Sequence, residues 1–110
     1  MPDAPPLKVF FRFQRLSQAQ ADELEGRLGE LRVAPRFDQD GLAGWIPLGV
    51  DTSPQPVLDA VRSIGAAPES YGLFVSFIEE RDSGMVRLPT WIADFAAAVH
   101  CPIDVSYTIV

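Results

Sequence analysis

An α+β fold, with a mostly antiparallel or mixed sheet and two to three helices packed on one face, follows from three features of the chain. Apolar and polar residues alternate over Leu7 to Phe13 and again over Ile103 to Ile109. Apolar residues recur at helical spacing in three segments between these strands. Turn chemistry at Asp40-Gly41 and in the charged stretch Glu79 to Gly84 returns the remaining strands as hairpins, which speaks against a doubly wound parallel sheet.

In the first strand Leu7, Val9, Phe11 and Phe13 share one face, and Lys8, Phe10 and Arg12 the other. Phe10 points to a second face that is partly covered. Ser17, with Gln20 three residues on, forms a capping box for a helix from Gln18 to about Leu31, striped by Leu24, Leu28 and Leu31. Asp22, Glu23 and Glu25 early in it, and Arg27 and Arg32 late, suit the helix dipole. Val33 to Phe37 and Trp45 to Leu48 are expected to pair about Asp40-Gly41. Pro35 and Pro47 remove ladder donors and make both strands short or place them at an edge.

Ser53-Pro54 opens a second helix, with Pro54 at the first helical position, Val57, Leu58, Val61 and Ile64 as its stripe and Gly65 as the left-handed residue that closes it. Tyr71 to Ile78 is the most apolar stretch and predicts a central strand covered on both faces. Met85 to Leu88 is expected to return as a strand. Pro89-Thr90 then starts a third helix in which Trp91, Phe95 and Ala98 share a face. The last strand places Ile103, Val105, Tyr107 and Ile109 opposite Asp104, Ser106 and Thr108.

At 110 residues the chain has length for one core, read as a single domain over residues 7–110 after a short disordered leader, Met1 to Pro6, with three prolines. The opening stretch lacks the basic start and apolar run of a secretory signal, and no apolar run is long enough to span a bilayer. Cys101 is the single cysteine, which excludes an internal disulfide and fits the cytoplasm. The formal charge is −6, from 15 acidic and 9 basic side chains, which argues against nucleic-acid binding and suits a basic partner or plain solubility.

No catalytic motif stands out. His100 and Cys101, the one histidine and the one cysteine, are adjacent, and neighbouring side chains at a helix end diverge when a nucleophile and its base have to meet. Asp38-Gln39-Asp40-Gly41 resembles the start of a calcium loop, but the twelfth position is Gly49 and not a carboxylate. Lys8 is the only lysine and follows no glycine-rich loop, so a phosphate-cradling loop is absent. Neither a cofactor nor a metal is called for. Glu79 and Glu80 lie in a charged turn, where carboxylates are ordinarily solvated.

Tyr71 to Glu79 as a strand, Leu88-Pro89 opening a helix, Ile103-Asp104-Val105-Ser106-Tyr107 as a closing strand and Gly44-Trp45-Ile46 before them resemble the family catalogued as domain of unknown function 4279. The resemblance covers most of the chain as hydrophobic patterning. It implies a small bacterial domain without established enzymatic activity, in a size class shared with toxin-neutralising immunity proteins, and it carries over no functional residue. The expected function is a protein-binding module, an immunity protein that masks a toxin, with a small-molecule-binding or regulatory domain as the alternative. Asp38, Asp40, Glu79, Glu80 and Asp82 are the expected contacts for a basic toxin, and Trp45 the expected aromatic anchor.

Overall fold

A computed structural model describes residues 7–36, 40–79 and 88–109. Its elements are β1 (Leu7–Leu16), α1 (Gln18–Arg27), β2 (Arg32–Pro35), β3 (Leu42–Pro47), α2 (Gln55–Ile64), β4 (Tyr71–Glu79), α3 (Thr90–Val99) and β5 (Ile103–Ile109), with a 3-10 turn at Pro68–Ser70. The strands form one sheet in the order β2-β3-β1-β4-β5. β1 pairs antiparallel with β3 and β4, β2 antiparallel with β3, and β4 parallel with β5. The units β1-α1-β2 and β3-α2-β4 each leave a gap one strand wide, and each fills the gap of the other. This is the ferredoxin-like interlock of two split β-α-β units, extended at one edge by α3 and β5. The predicted α+β class and mixed sheet are observed.

Local chemistry sets the helix ends. The Ser17 hydroxyl accepts from the Gln20 amide at 3.1 Å while the Gln20 side chain accepts from the Ser17 amide at 2.9 Å, completing the capping box. α1 ends at Arg27, short of the expected Leu31, because Leu28 turns to extended backbone (φ −121) and is itself buried. Gly26 and Gly29 disfavour further helix on either side of it. α2 begins one residue later than expected: Pro54 is its N-cap, and the Ser53 hydroxyl accepts from the Gln55 amide at 3.3 Å. Gly65 closes it in the left-handed region, at φ 62. The two helices are tied where the Ser63 hydroxyl donates to Glu23 Oε1 at 2.7 Å, and that bond, with Arg27, holds the Glu23 carboxyl below its ordinary pKa.

The core lies between the helices and one face of the sheet. Val9, Phe11 and Phe13 of β1 meet Ile46 of β3 and Tyr71, Leu73 and Val75 of β4, and all are buried against Leu24, Val57, Val61, Ile92, Phe95 and Val99 of the helices. Phe11 is its centre, with ring centroids of Phe13, Tyr71 and Phe95 at 5.1, 5.7 and 6.4 Å. On α3 the buried stripe is Ile92, Phe95, Ala96 and Val99; Trp91 sits at its margin and Ala98 is exposed, which corrects the expected face by one position.

One further expectation changes: β4 is interior to the sheet, but among the described residues the helices cover it on one face and not on both. Phe10 is half-buried without belonging to the core cluster, in keeping with the partly covered second face expected for β1. The leader Met1 to Pro6 lies outside the described residues, as does the expected return strand at Met85 except for Leu88, which is in no strand. Among the described residues no helix is long and apolar enough to cross a membrane.

Adjacent positions on β1 separate these roles. Phe11→Ala opens a cavity in the core and is expected to cost about 3–5 kcal/mol. Phe10→Ala removes a cross-strand contact on the other face and is expected to cost about 1 kcal/mol or less. Urea denaturation of the two variants measures the contrast.

The uncovered sheet face as candidate functional site

Strand register brings a group of chemically distinctive side chains onto the face that the helices leave bare. Phe10 of β1 is directly opposite Phe74 of β4 on one side and Pro47 of β3 on the other. Arg12 is opposite Trp45 of β3 and Gly72 of β4. Arg32 of β2 is the next neighbour of Trp45 in the same row, and Asp104 of β5 stands beside Phe74. Directly opposed residues share a face, so all five strands supply one continuous surface. Phe10, Trp45 and Phe74 are each half-buried and none packs against the core cluster.

Arg12 organises the patch. Its guanidinium carbon lies 4.7 Å from the centroid of the Phe74 ring, a cation–π contact, and its Nη2 is 3.8 Å from Asp104 Oδ2. Both charged side chains keep solvent contact, so the ion pair contributes little stability by itself. Its effect is orientation: Asp104 helps to hold Arg12 over the Phe74 ring. Gly72 makes room in that row. A Cβ there would lie 3.0 Å from the Pro102 carbonyl oxygen, where the chain enters β5 and Leu73 donates to that same oxygen at 3.0 Å.

Two shallow depressions flank Arg12. One, of about 220 Å³, is lined by Phe10, Arg12, Trp45 and Phe74. The other, of about 310 Å³, is lined by Arg12, Gln14, Ala34, Pro35, Arg36, Ala43 and Trp45. Arg36 is fixed at its rim by donating from Nη1 to the Asp40 carbonyl at 3.2 Å.

Of the residues expected to bind a partner, Trp45 lies in the centre of this face. Asp40 is exposed at the β2–β3 reversal, beside the Leu16–Leu42 end of the sheet, whereas Glu79 ends β4 beyond the Phe77–Leu7 pair. Asp40 and Glu79 are separated by about the length of β1, roughly 30 Å. Asp38, Glu80 and Asp82 lie outside the described residues. Arg12, Phe10 and Phe74 were not among the expected contacts. The alternation of β1 already placed Phe10 and Arg12 opposite the core residues, and that signal could have found them.

His100 and Cys101 stand in different surroundings. His100 is exposed and takes the left-handed cap position of α3 at φ 59, while Cys101 is half-buried against the core and its amide donates to the Ala96 carbonyl at 3.1 Å. Among the described residues no three His, Cys, Asp or Glu side chains gather as a metal site. Compared with family models, with curated proteins and with solved structures, the chain gives no match.

Burial pushes the Cys101 thiol above its ordinary pKa, opposed in part by a backbone hydrogen bond from Leu73. A raised folded pKa means that the thiol's contribution to stability is complete below the unfolded value, about 8.5, and is lost as pH rises through the folded value. Iodoacetamide at mildly alkaline pH is therefore expected to alkylate Cys101 more slowly in the native protein than in urea, as mass spectrometry of quenched samples would measure.

Proposed function

We propose that the chain is a protein-binding module with no bond-making chemistry of its own, and that it lays the uncovered face of its sheet against a partner. The observation that carries this reading is the cluster of Phe10, Trp45, Phe74 and Arg12, aromatic and guanidinium groups left half-exposed together on a rigid sheet. Trp, Phe and Arg are the side chains enriched in the desolvated centres of interfaces. Strand backbones hold them in register, so little conformational entropy is lost on contact. The depressions beside Arg12 are open, unlike a metabolite pocket that buries most of its ligand, which favours a protein partner over a small molecule.

The use proposed for this module is that of a bacterial immunity protein in the cytoplasm, neutralising a toxin by covering its active site. Small size, a single free cysteine and the resemblance in hydrophobic patterning support that use. Steric masking needs a rigid complementary surface and no reactive group.

Trp45→Ala is expected to leave the fold intact at a cost of about 1 kcal/mol and to remove the partner. Affinity capture from native cells with the wild-type chain, Trp45→Ala and the α1 surface variant Glu25→Ala measures this. A protein retained by the wild type and by Glu25→Ala but depleted about tenfold or more with Trp45→Ala supports the reading. Equal retention by all three contradicts it.

A further inference from the structure

The uncovered face and the whole molecule differ in the sign of their charge. Lys8, opposite Ser76, belongs to this face with Arg12 and Arg32, and Arg36 lines its larger depression. Among residues whose side chains are described, Asp104 is the one carboxylate that register places there. Four cations against Asp104 and, beside Arg36, Asp40 leave a local surplus of two positive charges among the described side chains, on a chain whose formal charge is −6.

The helices carry five further acids. Asp22, Glu23 and Glu25 on α1, Asp59 on α2 and Asp94 on α3 are exposed on the helices. A helical layer is about 10 Å thick, and the screening length at physiological salt is about 8 Å. A group docking on the sheet therefore responds to the nearby guanidinium and ammonium groups more than to the acids behind the helices.

We infer that this face docks an acidic segment of a partner protein, with carboxylates at Arg12, Arg32 and Arg36 and an apolar side chain laid on Trp45. The inference rests on the protein-binding reading and adds the partner's chemistry: the contact surface is anionic, where the net charge of the chain alone suggests a basic one. Two features favour a protein segment over single-stranded nucleic acid, which also combines negative charge with flat apolar groups. Arg12 already covers Phe74 at 4.7 Å, on the ring face where a base would stack. Asp104 stands at the β5 side of the row, where a run of phosphates would meet a carboxylate. A short acidic segment needs only the compact group of cations between β2 and β1.

The test uses the intact chain and three fluorescein-labelled probes: a short peptide of alternating glutamate and leucine, the same peptide with lysine for glutamate, and a short oligothymidylate. Fluorescence anisotropy is expected to show binding of the glutamate peptide, weakened by added salt. The double variant Arg32→Glu, Arg36→Glu is expected to weaken it about tenfold or more, since rim and interface charges of this kind each change affinity or on-rate measurably. Arg32 is exposed, and Arg36 contacts only a turn carbonyl through its guanidinium among the described residues, so the double variant should keep the native melting temperature. Arg12→Glu serves as a second probe of the same surface.

Preference for the lysine peptide, tighter binding of oligothymidylate, no binding of the glutamate peptide, or binding indifferent to the charge reversals would each overturn the inference. Should the glutamate peptide fail while Trp45→Ala still loses a captured partner, the charge assignment falls and the protein-binding reading stands.

Discussion

Alternation along β1 is the constraint on which the rest of the structure depends. β1 is the middle strand, bonded to β3 on one side and β4 on the other, so its two-residue period fixes the register of both neighbours. A slip of one position would drive Phe10 and Arg12 into the core and expose Phe11 and Phe13, whose rings are fully buried. Burial of an aromatic side chain is worth about 3 kcal/mol, and stranding a guanidinium in the core adds a desolvation penalty of several kcal/mol. The register is therefore strongly determined. The same determination that buries Phe11 also presents Phe10, Arg12, Trp45 and Phe74 together on the other side.

Much of this was legible in the sequence, because the signals were local. The capping box at Ser17, the left-handed Gly65 and the Asp40-Gly41 reversal between β2 and β3 all appear where short-range chemistry puts them. Other features depend on which strands become neighbours, and no short stretch contains that. Tyr71 to Ile78 is apolar enough to read as covered on both sides, yet β4 lends Phe74 and Ser76 to a face that no described helix covers, because those helices all return to the other side. The three aromatics come from β1, β3 and β4, so their meeting is a product of strand order alone. The acidic turns illustrate the converse, since Asp40 and Glu79 look alike as turn carboxylates but register puts them at opposite ends of the sheet.

Charge shows why a whole-chain quantity misleads at a site. A formal −6 says that acids outnumber bases and is silent on where either kind sits. The α-helices carry five of the described acids, and one of these pairs along a turn, Glu23 with Arg27 at 2.9 Å. The strand positions left for cations were the outward ones. Segregation of this kind is a by-product of building an amphipathic sheet and amphipathic helices from one chain. It gives the molecule two faces of different charge, and the aromatic group is on the one that carries Lys8, Arg12 and Arg32.

The central claim is that one face of the sheet forms the core and the other is free in solution. Hydroxyl-radical footprinting of the native protein, read residue by residue by mass spectrometry and normalised to the urea-unfolded chain, tests it without any knowledge of a partner. Substantial oxidation of Phe10, Trp45 and Phe74 alongside protection of Phe11, Phe13 and Tyr71 is the predicted pattern. Equal protection of both sets would mean that something already covers the outer face, and would contradict the account.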